Sequence, residues 1–399
     1  MDKRSIGIIG FGQRGKMMVE LLLDHFCDNY EITGVCDVAE NRAKEAADLV
    51  GEKLGSRPAI YMDYKELISA KPDVIFVFAS WHDHIRMCCD IMEAGIPLAT
   101  EVGGSNSIAD CHNLVETWER TKTPYMFLEN CCFGRLEQFA LSMKNNGVLG
   151  KIVYCEGGYC HDLREEVCGG ARNNHYRLSE YAAKNCDNYP SHDFLPIAKL
   201  LGLNQGNRPI SLYSYASGSN GLKAYVQKKY PDDALLSAID IRQADIVTTI
   251  ISFAQCETVL LSLDTTLPRP YSRRFTVRGT KGAIFEDTMS VFIDGVHNED
   301  DFEWNKQWNN VEEYYKQYDS EIWKVYRENP IGSHDGMDYL ELKAFFEALD
   351  NKKEMPVNVY DAAFTMALTP LTEMSISMNM PVAIPDFSNG KWVKRYENQ

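Results

Sequence analysis

Ser5-Ile6-Gly7-Ile8-Ile9-Gly10-Phe11-Gly12-Gln13-Arg14-Gly15 is the stretch that decides the fold. A short apolar strand runs into a GxGxxG turn, and Met17, Met18, Leu21 and Leu22 then recur at helical spacing. A second strand, Glu31 to Cys36, ends at Asp37, about 20 positions beyond the turn. A lone GxGxxG is a weak signal, but strand, turn, helix and acidic residue in this order make the dinucleotide-binding pattern. Gly10 is expected to form the tight turn, Gly12 to let backbone N–H groups approach a pyrophosphate, and Gly15 to let helix and strand pack closely. Phe11, Gln13 and Arg14 complete this cofactor-binding turn, at a helix N-terminus whose partial positive charge favours phosphate. Asp37 is expected to accept hydrogen bonds from ribose hydroxyls and to repel a 2′-phosphate, so NAD is expected rather than NADP.

The alternation of strand and helix continues outward from this unit. Strands are expected at 59–61, 73–78, 96–100 and 124–128, with helices over 40–51, 85–94 and 108–120 between them. Ser80, Trp81 and His84 stand in the loop leaving the 73–78 strand, Glu101 ends the 96–100 strand, and Glu129 and Asn130 end the last one. Ligands of open α/β sheets bind at these carboxyl ends. After residue 130 the pattern changes to one helix, 135–145, followed by long strand-like runs over 151–161, 210–217, 245–253, 258–266, 273–278, 283–285 and 291–293. Gly279-Thr280-Lys281-Gly282 reads as a hairpin turn. The expected architecture is therefore α/β, with a Rossmann domain over 1–130 followed by an α+β domain over 131–399. The second domain has a large, mostly antiparallel open sheet, and its C-terminal helices pack back toward a ligand cleft. The Trp- and Tyr-rich segment 298–329 reads as an insertion or arm whose Trp304, Trp308 and Trp323 serve either sugar stacking or packing.

Composition excludes other classes. At 399 residues the chain is long enough for two cores, and 45% hydrophobic with 25% charged residues is ordinary for a globular protein. A net charge of −16 argues against nucleic acid or an anionic membrane surface as partner. No apolar run is long enough to span a bilayer and the first strand starts within five residues, so a cytoplasmic protein is expected. The twelve cysteines are scattered, without CxxC or His/Cys ligand spacing, and are expected to be reduced thiols filling cores rather than disulfides or metal ligands.

The order of nucleotide fold, ligand cleft and open-sheet domain resembles the Gfo/Idh/MocA superfamily, mostly sugar and polyol dehydrogenases. Members usually carry Glu-Lys-Pro at the end of the fifth strand, with Lys as catalytic base; here the tripeptide is Glu101-Val102-Gly103. A narrower resemblance fits better. Glu129-Asn130-Cys131-Cys132-Phe133-Gly134-Arg135, Gly158-Tyr159-Cys160-His161-Asp162-Leu163-Arg164 and Tyr189-Pro190-Ser191-His192 are similar to the NAD-dependent retaining glycosidases of glycoside hydrolase family 109, typified by α-N-acetylgalactosaminidases. Segments near 201–208, 277–282, 336–338 and 359–363 match in the same order, so the resemblance spans almost the whole chain.

That resemblance implies hydrolysis of a terminal sugar by C3 oxidation, C2 deprotonation, elimination, water addition and re-reduction, with NAD recycled. It implies Tyr189 and His192, three apart on a helix start, as the groups that hold and deprotonate the oxidised hydroxyl. Tyr159 and His161 alternate on one strand face, and one of them is expected to act as base toward C2 or acid toward the leaving oxygen. Glu129, Arg177 and Tyr271 are implied substrate contacts. Ser80, Trp81, His84, Glu101, Glu129 and Asn130 join the glycine turn and Asp37 as the implied cofactor site. His334 and Asp338 match without an evident role. Partners are expected to be a small glycoside and further copies of the chain, through the open sheet. The alternative is an ordinary NAD-dependent sugar or polyol dehydrogenase, against which the missing Lys stands.

Overall fold

The computed structural model describes residues 3–170, 175–298, 300, 303 and 305–393. Trp304 lies outside the described residues. The chain divides into two compact units, residues 1–130 with 331–367, and 131–330 with 368–399.

The first unit is built on six strands, β1 Arg4–Ile9, β2 Tyr30–Cys36, β3 Ala59–Tyr61, β4 Val74–Val77, β5 Leu98–Glu101 and β6 Tyr125–Leu128. They lie in the order β3-β2-β1-β4-β5-β6, and every neighbouring pair is parallel. Parallel sheets are covered by helices on both faces, so their strands read as unbroken apolar runs. All four residues of β4 and of β6 are buried. The order reverses between β1 and β4, and a crevice for a dinucleotide opens at such a switch point.

The helix Met337–Asp350 belongs to this unit although it lies far along the chain. Its Phe345 and Phe346 sit 5.3 and 5.8 Å from the Phe76 ring of β4, and Phe346 lies 4.2 Å from Tyr30 of β2. Aromatic pairs at these separations add to the area they remove from water.

The second unit carries eight strands among the described residues, β7 Ile152–Cys160, β8 Pro209–Ala216, β9 Ile246–Phe253, β10 Thr258–Asp264, β11 Thr276–Gly279, β12 Gly282–Phe285, β13 Ser290–Ile293 and β14 Val382–Ala383. Their order is β13-β12-β11-β7-β10-β9-β8-β14. Of these pairs only β7 and β10 run parallel, and all others are antiparallel. The β11–β12 pair closes across residues 279–282, as expected for a hairpin. Residues 247, 249, 251 and 253 of β9 are buried while 250 and 252 are exposed, the period-two signature of a sheet with one covered face.

Several features differ from the sequence expectation, among them the helices Gly221–Lys229 and Ala234–Ala238 between β8 and β9. The segment between β7 and β8 contains, besides the helix Ser191–Leu201 whose start was expected near 189–192, the helices Arg164–Gly170 and Arg177–Ala183. Segment 298–329 is not a bare arm: it forms the helices Val311–Tyr318 and Glu321–Tyr326. Trp323 is buried, and its indole N–H donates to the Phe133 carbonyl at 2.9 Å, so it packs rather than offering a sugar platform; Trp308 is exposed. The strand expected from Arg273 begins only at Thr276.

Candidate functional site

In the first unit, each glycine of the turn has its own reason. Gly10 has φ +93°, and a Cβ there would come within 2.5 Å of the Phe78 carbonyl oxygen. A Cβ on Gly15 would come within 2.5 Å of the Gly10 carbonyl oxygen. A Cβ on Gly12, by contrast, would meet nothing within 4 Å. Protein packing does not ask for glycine there, whereas a pyrophosphate lying against the backbone does. Gly12 also precedes the helix Gln13–His25 without a side-chain cap, leaving the helix N-terminus to a ligand. The turn fits a dinucleotide.

Asp37 is buried at the end of β2. Its carboxylate accepts from the Phe11 N–H at 2.8 Å and the Ala39 N–H at 2.8 Å, and it pairs with Arg42 at 2.9 Å. Ser80 Oγ lies 3.4 Å from Asp83. Trp81 and His84 are buried, and His84 is the first residue of its helix rather than part of the preceding loop. Its Nε2 contacts the Ala79 carbonyl at 2.7 Å, and burial pushes the imidazole pKa down to about 4.

Arg14 stands in the turn, but its guanidinium is directed to carboxylates. Nε donates to Glu101 at 2.7 Å, Nη1 and Nη2 to Asp338 at 2.7 and 3.0 Å, and Nη2 lies 3.4 Å from Glu341. The other Glu101 oxygen accepts from the Val102 N–H at 3.0 Å. Asp338 also accepts from Asn130 Nδ2 at 2.8 Å and faces His334 Nδ1 at 2.9 Å. Burial alone would raise the Asp338 pKa, but the His334 contact and the Arg14 charge hold it well below the usual carboxylate range. Burial pushes Glu341 upward. Glu129, at the end of β6, is fully buried.

In the second unit the predicted residues converge. Tyr159 near the end of β7 and His161 just beyond it lie on one face, with the phenol oxygen 3.3 Å from His161 Nδ1. The Tyr159 ring is 4.4 Å from Tyr189 and 5.4 Å from His192; Tyr189 and His192 are 4.9 Å apart, and His161 is 5.2 Å from Tyr271. The Arg177 guanidinium lies 5.1 Å from the Tyr189 ring centre, close enough for a cation–π contact, and pairs with Glu166 at 2.6 Å.

Local structure explains the convergence. A Cβ on Gly157 of β7 would come within 2.8 Å of the Asp193 carbonyl oxygen, so glycine lets the helix Ser191–Leu201 approach that strand. His192 thereby reaches Tyr159. Tyr189 precedes that helix rather than sharing its face, because the helix begins only after Pro190. Burial pushes the Tyr159 phenol well above the ordinary tyrosine range and pulls His161 below the ordinary histidine value.

Sequence reasoning missed Glu166, Glu341 and Asp187. The Asp187 carboxyl is buried, accepts weakly from the Tyr189 N–H at 3.3 Å, and is raised by burial to about 7. Nothing in the local pattern marks it, since an Asp in a polar loop reads as solvated.

Comparison with known proteins adds the relationship. Residues 133–394 match the model of the glycosyl hydrolase 109 C-terminal domain, and residues 4–128 that of the NAD-binding Rossmann fold of the GFO/IDH/MocA oxidoreductase family. Glycosyl hydrolase family 109 protein 1 of Akkermansia muciniphila is 34% identical over 98% of this chain and 83% of its own length. The α-N-acetylgalactosaminidase of Tannerella forsythia is 30% identical over 98% of this chain and 87% of its own. Levoglucosan dehydrogenase, solved with NADH and levoglucosan, superposes with a TM-score of 0.72 at 15% identity over 96% of this chain and all of that one, a likeness of fold. The chain belongs to glycosyl hydrolase family 109, built on an NAD-binding Rossmann fold of the Gfo/Idh/MocA type.

Proposed function

We propose that the protein is an NAD-dependent retaining glycosidase that removes a terminal N-acetylgalactosamine or related sugar. The observation that carries this reading is the cluster of Tyr159, His161, Tyr189 and His192 with Arg177, in a family 109 domain whose partner unit lacks the dehydrogenase Lys at Val102. When bound, NAD⁺ supplies the redox chemistry that side chains lack, taking a hydride from C3 of the sugar and returning it at the end. Around that step, His192 with Tyr189 takes the proton of the C3 hydroxyl. A ketone at C3 acidifies the C2 proton, and His161 suits its removal because burial keeps the imidazole neutral near pH 7. Tyr159, held un-ionised by burial, positions His161 through the 3.3 Å contact and acts as a donor, not a base. Arg177 and Tyr271 hold sugar oxygens, and Arg177 keeps positive charge beside Tyr189. Glu129 completes the substrate contacts, and Asp37, Ser80, Trp81, His84, Glu101 and Asn130 serve the cofactor.

The substrate in this reading is a small glycoside met in the cytoplasm. The twelve cysteines are thiols rather than disulfides and nine are buried, which suits a reducing compartment. No helix among the described residues is long and apolar enough to cross a membrane. A homo-oligomer through the eight-stranded sheet is supported by exposed Val153, Ile210, Tyr215 and Ile250 on its strands.

Incubation with α- and β-nitrophenyl glycosides in D₂O, with NAD⁺ present, tests the reading. The expected result is nitrophenol release without accumulating NADH, and deuterium at C2 of the product. NADH accumulating without aglycone release would overturn it in favour of a sugar or polyol dehydrogenase.

A further inference from the structure

The Asp338 carboxylate gathers three parts of the first unit that are distant in sequence. Its Oδ1 accepts from Asn130 Nδ2 at 2.8 Å and Arg14 Nη2 at 3.0 Å. Its Oδ2 accepts from Arg14 Nη1 at 2.7 Å and Ser333 Oγ at 3.3 Å, and meets His334 Nδ1 at 2.9 Å. The glycine-rich turn, the end of β6 and the turn before the helix Met337–Asp350 are thus tied to one buried group. That turn is itself unusual. His334, Asp335 and Gly336 follow one another with φ of +51°, +52° and +83°, and two non-glycine residues persist in the left-handed region only where their surroundings hold them. The conformation brings the His334 imidazole onto Asp338, four residues on.

An ionised carboxylate has no hydrogen to give, so it takes the Asn130 amide by its NH₂ and not by its carbonyl oxygen. Asn130 stands where β6 ends, at the strand ends where an open α/β sheet holds its ligand. Among the groups a nicotinamide nucleoside offers there, ribose O–H and carboxamide N–H groups can donate to an amide oxygen. We propose that Asp338 is a positioning residue for NAD, fixing the Asn130 amide so that its oxygen faces the nicotinamide nucleoside. The inference rests on NAD as cofactor and not on which sugar is cleaved.

The test is NAD⁺ affinity measured by calorimetry without glycoside, so a failed glycosidase assay leaves it standing. An amide at 338 cannot accept from Arg14, Asn130 and His334 together. Asp338→Asn is expected to weaken NAD⁺ binding roughly ten- to a hundredfold, the scale of a lost charge-assisted hydrogen bond. Asp338→Glu is expected to restore part of the loss. In an Asn130→Ala background the same Asp338→Asn change is expected to cost several-fold less, a coupling that general loss of folding would not produce. Unchanged affinity in Asp338→Asn, or an equal cost with and without the Asn130 amide, overturns the proposal. Should Asp338→Asn not fold, His334→Ala decides instead, because that side chain is half-exposed. It is expected to weaken NAD⁺ severalfold at an unchanged apo unfolding midpoint, and unchanged affinity overturns the proposal.

Discussion

Among single residues, charge placement underlies the nucleotide preference and the pH response proposed for the protein. Asp37 holds Arg42 at 2.9 Å and accepts from the Phe11 N–H, so the carboxylate that disfavours a 2′-phosphate also restrains a nearby cation that would welcome it. Asp37→Ser is expected to weaken NAD⁺ about tenfold and to strengthen NADP⁺ through the released Arg42. Dissociation constants for both nucleotides check this, and an unchanged preference would refute the assignment. In the proposed mechanism His161 sets the pH response. Its pKa is lowered chiefly by burial, with Arg177 and His192 adding to the effect. A base works in its neutral form, so a depressed pKa carries activity further into acid. The acid limb of kcat/KM for aglycone release is expected below the ordinary histidine value of about 6.5. His161→Asn should remove that limb and reduce turnover by roughly 10²- to 10⁴-fold. A limb that survives in the variant belongs to another group.

Among the elements, the departure from the dehydrogenase tripeptide is built into the end of β5. Val102 is buried, and a Cβ on Gly103 would lie 2.6 Å from Trp81 Cδ1 and 3.0 Å from His84 Nδ1. The indole occupies the place that a bulkier third residue requires. Val102→Lys is therefore expected to lose a few kcal/mol of stability, as a buried unpaired ammonium does, and to produce no net NADH from free sugars. Urea unfolding and a nicotinamide absorbance assay check both parts. Strands β4 and β6 were plain in the sequence because burial on both faces leaves unbroken apolar runs, and the helix Arg135–Asn145 was legible to the residue. The helices Arg164–Gly170 and Arg177–Ala183 were not, and of Ser191–Leu201 only the start was. Gly169-Gly170 ends one of them, Pro196 stands inside another, and none is long enough for a clear apolar stripe. The residues of the proposed catalytic cluster were singled out through the family motifs, but their meeting in space was not legible as geometry. Gly157, which admits His192 to the face of Tyr159, reads in sequence as an ordinary strand glycine. Asp338 was illegible as a hub because its partners Asn130 and Arg14 lie 208 and 324 positions away.

Across the full chain, twelve thiols report on the integrity of both interiors. Nine are buried, Cys27 and Cys132 are half-buried, and only Cys256 is exposed. Burial pushes the Cys36, Cys111 and Cys160 thiols up to about 12, leaving almost no thiolate at neutral pH. Titration with a chromogenic disulfide is expected to modify one cysteine rapidly in the native protein and all twelve in denaturant. Several fast thiols in the native protein would contradict the packing described. The division of the chain also carries a consequence for synthesis. The nucleotide-binding unit takes up residues 331–367, which bring Asp338 and the Phe345–Phe346 pair that covers its sheet. On the ribosome, the unit that begins to emerge first must wait, with part of its sheet uncovered, through the two hundred residues that separate its halves. A gene fragment that stops at residue 130 therefore carries the six strands without the aromatic pair that packs on them.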